Sequence, residues 1–181
     1  MVYVILGNGF EEMEAIAPWD ILLRGGVEVR FAGVGGTEIV GGHGLKVRAD
    51  LTVEEIDPDK MEMIVLPGGM GGVHSMLESS AVLETVQDAW KNGKYVCAIC
   101  AAPMILAKLH ITDNKSATCY PGLESEMGSA HMRPEAVVCD GRLITGRGPG
   151  AAVEFGLKLL ETMTDCKMAE QVRSAMVWEH R

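Results

Sequence analysis

The amino-acid sequence predicts an α/β fold with a mostly parallel central sheet covered by helices. Short apolar runs of strand length alternate with segments of helical periodicity along the 181 residues. Strands separated by helices pair in parallel through right-handed crossovers. Glycine is frequent, at 22 residues, which suits the tight turns between strands and helices. The length fits one domain, and we expect that domain to span residues 1–181.

Charge and composition exclude several classes of partner. The chain has 25 acidic and 16 basic residues and a formal net charge of -9, which would repel the phosphates of a nucleic acid. No apolar run approaches the roughly 20 residues that span a bilayer, and the N-terminus lacks the pattern of a signal peptide. We therefore expect a cytoplasmic protein without nucleic-acid or membrane partners.

The cysteines indicate free thiols. Their number is odd and their spacing is wide, which is not typical of a disulfide-stapled chain. Cys97 and Cys100 form a C-x-x-C pair, but no second pair and no H-x-x-x-H motif follows. We therefore expect no metal site. The five residues are Cys97, Cys100, Cys119, Cys139 and Cys166.

The N-terminal 66 residues predict three strands, one helix and a hairpin. Val2–Leu6 and Met63–Leu66 are continuous apolar runs, as strands buried on both faces require. Glu11–Arg24 has helical periodicity, with acids in its first turn and two glycines at its end. Val27–Ala32 predicts another strand, and the glycines within Glu38–Ala49 indicate a hairpin.

The rest of the chain continues the alternation. Leu77–Asn92 predicts a helix whose regular part is capped by Ser79 or Ser80, and Gly93 ends it. Tyr95–Ile99 predicts a buried strand. The remaining predicted elements are a helix at Ala101–Lys108, strands at Ala117–Cys119 and Ala136–Thr145 with a turn at Asp140-Gly141, helices at Ala151–Met163 and Met168–Ala175, and a terminal strand at Met176–Trp178.

Cys100 lies where a buried strand turns into a helix. Turns of this kind present the nucleophile in some α/β enzymes, and a positive helix end favours the thiolate form of cysteine. A buried free cysteine is equally common in protein cores. The spacing alone leaves both interpretations open.

Glycine-rich loops follow the predicted strands and lie at one edge of the sheet. Gly68 and Gly69 leave their backbone N–H groups accessible, and with the N–H of Ala101 these donors can hold an oxyanion or a sulfinate. A plain Pro-Gly-Gly turn is the alternative. The glycine spacing matches neither of the nucleotide phosphate loops, so we expect no nucleotide.

Glu14 is the best acid candidate, because it lies beside the apolar stripe of its helix whereas Glu12 projects from the opposite side. A carboxyl group in contact with a thiolate keeps its proton, since two adjacent negative charges are costly. An interaction with the helix dipole is the alternative role. Arg147 is an anion-binding candidate or a solvated side chain, and no histidine has the sequence context of a catalytic base.

Four motifs in this order resemble the ThiJ/PfpI superfamily, in the branch of the Parkinson-disease-associated protein deglycase. The similarity extends from Val2 to about Val177. The motifs are Glu11-Glu12-Met13-Glu14, Leu66-Pro67-Gly68-Gly69, Ala98-Ile99-Cys100-Ala101-Ala102-Pro103 and Arg147-Gly148-Pro149-Gly150.

The resemblance implies a flavodoxin-like three-layer sandwich, a homodimer and chemistry without a cofactor. By this resemblance Cys100 is the reactive cysteine and Glu14 its protonated acid partner. Gly69 and Ala101, with Gly68 alongside, are the backbone donors. Arg24 corresponds to an arginine of the subunit interface.

One position departs from the family pattern. Many members have a histidine before the proline that is here Pro121, whereas this chain has Tyr120. Tyrosine is a poor base at neutral pH because its unperturbed pKa is about 10. We therefore expect no Cys–His dyad, and we expect the helix end and Glu14 to activate Cys100. Tyr120 and Arg147 remain candidates for substrate binding.

Three functions are compatible with these residues. The first is a cysteine-dependent enzyme of the glyoxalase III or protein deglycase type, which acts on small reactive carbonyls or glycated substrates through Cys100 and Glu14. The second is a non-enzymatic sensor of oxidative stress or a chaperone, which responds through oxidation of Cys100. An amidase or intracellular peptidase is the third and is disfavoured by Tyr120.

Overall fold

A computed structural model describes residues 1–178 and has a seven-stranded sheet at its centre. The strands of this sheet lie in the order β10-β11-β7-β6-β1-β2-β5. All neighbours in it pair in parallel except β10 and β11, which are antiparallel. The strands of the sheet are β1 (Val2–Leu6), β2 (Val29–Gly33), β5 (Leu51–Thr52), β6 (Met63–Leu66), β7 (Tyr95–Ile99), β10 (Val137–Asp140) and β11 (Leu143–Gly146).

Helices cover both faces of this sheet and make the three-layer α/β arrangement that the sequence predicts. One group consists of α1, α5 and α6, in which α5 packs on both of the others. The second group consists of α2, α3 and α4. In it α3 packs on β6 and β7, α4 packs on β7, and α2 packs on the other two helices. The helices are α1 (Glu12–Arg24), α2 (Met70–Glu78), α3 (Ser80–Lys91), α4 (Pro103–Lys108), α5 (Ala152–Met163) and α6 (Cys166–Ala175). None of these described helices is long and apolar enough to cross a membrane.

The central strands have the bounds that the apolar runs predict. Every residue of Val2–Leu6 and Met63–Leu66 is buried, as expected for strands covered on both faces. The hairpin within Glu38–Ala49 also forms, from β3 (Glu38–Val40) and β4 (Lys46–Arg48) in antiparallel register. The Asp140-Gly141 turn joins β10 to β11.

The helix predicted at Leu77–Asn92 is two helices. Ser79 has an extended backbone, and its hydroxyl accepts a hydrogen bond from the backbone N–H of Val82 at 3.3 Å. The first of the two helices begins at Met70, seven residues before the predicted start. The sequence pattern did not predict this helix because it contains glycines, which have low helix propensity. Gly72 packs so closely on Phe10 that a Cβ would lie 2.8 Å from the Phe10 Cα.

Two other predictions need correction, and one strand was not predicted. The strand predicted at Ala117–Cys119 is β8 (Ser116–Ala117), which pairs outside the main sheet with β9 (His131–Met132). The edge strand β5 was not predicted, because two residues carry no periodic signal.

The terminal strand predicted at Met176–Trp178 is wrong. The chain turns there after α6, and Val177 has a φ of 54°, which no strand accommodates. His180 lies outside the described residues.

We predict that Gly156→Ala lowers the free energy of unfolding by about 1–2 kcal/mol, because the methyl group overpacks the contact between α1 and α5. A Cβ at position 156 would lie 2.8 Å from the Cδ1 of Ile21 and 3.0 Å from the Cα of Pro18. Gly150→Ala is the control, since a Cβ there meets nothing within 4 Å, and we expect a change within about 0.5 kcal/mol. Urea denaturation measures both, and equal destabilisation of the two variants would contradict the packing argument.

Candidate functional site

Cys100 occupies the turn between β7 and α4 in a strained backbone conformation. Its φ is 65°, a left-handed value that costs a residue with a Cβ roughly 1–3 kcal/mol. Two hydrogen bonds hold it there: its N–H donates to the carbonyl of Gly146 at 2.9 Å, and its carbonyl accepts from the N–H of Tyr120 at 2.8 Å. The residue is 8% exposed. The turn therefore has the geometry of a nucleophile elbow, with a small opening to solvent.

Glu14 projects from α1 into the protein and is fully buried. Its Oε2 accepts a hydrogen bond from the N–H of Gly68 at 2.7 Å. Its Oε1 is buried and has no hydrogen-bond partner of good geometry, and the Cys100 thiol is the side chain with which this carboxyl interacts. Glu12 instead binds the exposed His43. The structure thus brings the acid chosen from the helical pattern to the cysteine.

The contact between Glu14 and Cys100 requires glycine at position 68. A Cβ there would lie 2.5 Å from the Oε2 of Glu14 and 2.7 Å from the Cβ of Cys100. The next residue, Gly69, has a φ of 83° and would bring a Cβ within 2.5 Å of the backbone N of Glu11. The Pro-Gly-Gly sequence therefore does more than turn the chain, since it makes room for the acid and the thiol on the same side of the loop.

The ionisation of the pair differs from the sequence expectation. The pKa of Cys100 is raised to about 12, mainly by burial and also by the neighbouring Glu14 charge. The N–H groups of Ala101 and Gly69 hydrogen-bond to the sulfur and lower the pKa, but they do not overcome burial. The prediction that the helix end and Glu14 together favour the thiolate is therefore wrong, because desolvation outweighs the helix end and the Glu14 charge opposes the thiolate.

Burial also raises the pKa of Glu14, to about 7, and hydrogen bonds from Cys100 and Gly68 oppose that rise. The expectation of an acid that retains its proton well above the usual range is thus confirmed in direction. Because the two groups are in contact, they lose protons as a pair. Above about pH 7 the pair carries one negative charge, either as Glu14 carboxylate and thiol or as protonated Glu14 and thiolate.

Tyr120 and Arg147 line a pocket of about 330 Å³ beside the Cys100 turn and do not line the sulfur itself. Arg147 is exposed and donates from one terminal nitrogen to the carbonyl of Pro134 at 3.0 Å. The Tyr120 side chain is 47% exposed. These two predicted site residues therefore lie at a neighbouring pocket, whereas Gly68, Gly69 and Ala101 surround the sulfur and acid directly.

All five cysteines are free, as predicted. Cys97 is completely buried in β7, and burial raises its pKa well above the ordinary value. Cys139 and Cys166 are exposed. Among the five, Cys100 alone therefore combines a strained turn and an acid neighbour.

Sequence reasoning missed one cluster of polar side chains. The Nδ1 of His43, on the β3–β4 loop, lies 2.7 Å from Glu12 and 3.9 Å from Glu11. The three side chains have metal-ligating atoms within 4.8 Å of one another, but the hydrogen bonds between His43 and Glu12 account for the arrangement. No local signal reveals it, because about thirty residues separate the partners.

The fold and the site together define a class of protein, namely an α/β protein with a cysteine at a strand-to-helix elbow and a buried glutamate against it. The sequence model of the DJ-1/PfpI family matches residues 1–162. The chain belongs to this family, which confirms the resemblance seen in its motifs.

Named relatives and solved structures agree with this assignment. The chain is 38% identical over 177 residues to protein dj-1beta of Drosophila melanogaster, covering 96% of this chain and 95% of that protein. It is 34% identical over 179 residues to the Parkinson disease protein 7 homolog of Danio rerio, covering 96% and 95%. The crystal structure of Drosophila melanogaster DJ-1beta has a TM-score of 0.93 at 37% identity and covers 99% of this chain and 98% of that one. A structure of oxidized Toxoplasma gondii DJ-1 has a TM-score of 0.93 at 27% identity, covering 99% and 98%.

We predict that Glu14 makes the protein less stable as the pH rises. The pKa of Glu14 is about 7 in the folded protein against an ordinary value of 4.5. The stability that follows from this raised pKa is fully present below pH 4.5 and is lost as the pH rises through about 7. Between pH 5 and pH 8 the loss is on the order of 2 kcal/mol, from 1.36 kcal/mol per pKa unit.

Glu14→Gln tests this assignment, because the amide keeps the shape and the acceptor for Gly68 but does not ionise. Urea unfolding at pH 5, 6, 7 and 8 gives the free energy of unfolding of both proteins. We expect the variant to gain stability relative to the wild type as the pH rises. Identical pH dependence of the two proteins would show that Glu14 titrates normally.

Proposed function

We propose that the protein is a cysteine-dependent enzyme of the glyoxalase or deglycase type that acts on small reactive carbonyls, with Cys100 as nucleophile. The observation that carries this proposal is the buried contact between the Cys100 thiol and a carboxyl group whose pKa is about 7. A carboxyl with this pKa can accept and return protons near neutral pH. Membership of a family that includes enzymes supports a catalytic role.

The chemistry of a 2-oxoaldehyde such as methylglyoxal fits this pair. The sulfur attacks the aldehyde carbon, the thiol proton passes to Glu14, and Glu14 delivers that proton to the carbonyl oxygen, which completes a hemithioacetal and leaves Glu14 as a carboxylate. Glu14 then takes the proton from the aldehyde carbon and returns it to the neighbouring carbon, which gives the thioester of a 2-hydroxy acid. Water cleaves the thioester, releases the acid and restores the thiol. One carbon is oxidised and its neighbour reduced, so no external oxidant takes part.

Backbone donors assist this sequence. The N–H groups of Gly69 and Ala101 interact with the sulfur, and we expect them also to reach an oxygen on the attacked carbon. Donors fixed before the reaction stabilise developing negative charge without reorganisation.

We predict that the purified, reduced protein converts methylglyoxal to lactate in metal-free buffer. Cys100→Ser and Glu14→Gln should each lower kcat/KM by at least about 100-fold, because one lacks the nucleophile and the other the proton carrier. In the wild type the rate should rise as the pH passes through about 7, because Glu14 then loses the first proton of the pair. Chromatography of lactate gives the rates.

Cys139→Ser is the matched control, since it removes an exposed cysteine of β10 and should retain the wild-type rate. Lactate formation that survives in Cys100→Ser would exclude the proposed nucleophile. A complete absence of lactate with the wild type would exclude the reaction itself.

A redox sensor is the second candidate, and the backbone N–H groups on the sulfur favour it. Oxidation of Cys100 to a sulfinic acid places oxygens where Gly69 and Ala101 can donate hydrogen bonds. The neighbour from Toxoplasma gondii was solved in an oxidized form. Oxidation requires thiolate, which the singly charged pair supplies through proton transfer to Glu14.

We predict that mild hydrogen peroxide oxidises Cys100 before Cys139 and Cys166, although the latter two are exposed. The reason is that only Cys100 has a proton acceptor and two backbone donors at its sulfur. Peptide mass spectrometry over time measures the sulfinic acid at each position, with Glu14→Gln as a comparison that should slow the reaction. Faster oxidation of the two exposed cysteines would contradict the sensor function.

The proposal includes a homodimer. Exposed apolar side chains on α1, Met13 and Leu23, and on the β3–β4 hairpin, Val40 and Leu45, offer surface for a second copy. Arg24, the interface residue implied by the resemblance, is half-exposed and pairs with Asp20 at 2.6 Å.

A further inference from the structure

The pocket beside Cys100 has mostly apolar walls. Tyr120 and Pro121 from one segment line it, together with Gly148, Pro149 and Ala151 from another. Its volume of about 330 Å³ exceeds what the methyl group of methylglyoxal fills. A pocket of this kind favours a ligand with a larger apolar group, because each buried apolar carbon adds to binding.

Backbone hydrogen bonds join Cys100 to both segments that line the pocket. Tyr120 donates its N–H to the carbonyl of Cys100, and the N–H of Cys100 donates to Gly146, which immediately precedes the Arg147-Gly148-Pro149 wall. These bonds fix both segments that line the pocket relative to the Cys100 turn. Arg147 places a positive charge at the edge of the pocket, and its side chain is held by the hydrogen bond to the carbonyl of Pro134.

The Tyr120 ring packs against Gly148. A Cβ at Gly148 would lie 3.3 Å from the Cδ2 and 3.7 Å from the Cε2 of Tyr120, so the edge of the ring lies directly on the peptide backbone. Tyr120 is 47% exposed, so part of its ring is available to contact a planar group of a ligand.

We propose that this pocket binds the substituent of a 2-oxoaldehyde and that Tyr120 selects aromatic or branched apolar substituents over methyl. The inference rests on the proposed carbonyl chemistry and adds the class of substrate. The carbonyl carbons lie at the sulfur, and the substituent lies against Tyr120, Pro121 and Pro149. Phenylglyoxal is therefore a better substrate than methylglyoxal.

Kinetics with both aldehydes test the selection. For the wild type we expect kcat/KM for phenylglyoxal, measured as mandelate, to exceed that for methylglyoxal, measured as lactate, by at least about tenfold. Tyr120→Ala should lower this ratio at least fivefold, whereas Tyr120→Phe should retain it because the ring remains. Circular dichroism confirms that the variants fold, which the exposure of Tyr120 makes attainable.

Binding of the reaction products to Cys100→Ser separates the subsite from the chemistry. Calorimetry should show mandelate binding more tightly than lactate, with the difference lost in Cys100→Ser/Tyr120→Ala. If mandelate binds more tightly but neither aldehyde is converted, the result supports the subsite and contradicts the proposed reaction. If both aldehydes are converted with equal kcat/KM, and Tyr120→Ala leaves the ratio of the two kcat/KM values unchanged, the result supports the reaction and contradicts selection by Tyr120.

Discussion

The site depends on one buried contact, that between the carboxyl group of Glu14 and the thiol of Cys100. Neither group has much access to water, so each determines the charge of the other. The contact exists only because position 68 is glycine, since any side chain there would collide with both partners. The Gly68 N–H also holds the carboxyl in place at 2.7 Å. One residue thus provides both the space and the orientation.

Burial, not the helix end, governs the ionisation of this pair. The six-residue α4 begins three residues after Cys100, and the N–H groups at the sulfur favour the thiolate only against a larger desolvation cost. Activation therefore means moving a proton within the pair, not holding a free thiolate at rest. This difference affects both candidate functions, because attack on a carbonyl and reaction with peroxide each begin with that transfer.

The strained turn at Cys100 also connects the pair to the neighbouring pocket. The two backbone bonds that hold the turn lead to Gly146 and Tyr120, which begin the two walls of the pocket. The reacting atom and the surface beside it are consequently fixed by the same hydrogen bonds. In the proposed reaction, the sulfur and acid carry out the chemistry, and the residues that line the pocket select the substituent of the substrate. Tyr120, which stands where the family resemblance implies a histidine, contributes an aromatic surface in place of a base.

The sequence predicted the parts of the fold that have a strong local signal. Val2–Leu6, Met63–Leu66 and Tyr95–Ile99 are apolar without interruption, and all three strands have the predicted bounds. Local signals failed where tertiary contacts override them. The helix at Met70 contains glycines that fit against Phe10, and the end of the chain turns at Val177 instead of extending.

For the site, the sequence by itself determined which groups are available: a cysteine at a strand-to-helix joint, an acid beside the apolar stripe of the first helix, and glycines after the strands. Parallel strands bring their carboxyl ends to one edge, so the meeting of these groups also followed from the pattern. Only the tertiary structure decided how deeply the thiol and acid are buried, and therefore their pKa values. It also decided that Tyr120 and Arg147 face a pocket beside the sulfur and that His43 binds Glu12. Burial and long-range contacts arise from packing between distant segments, which periodicity along one segment does not encode.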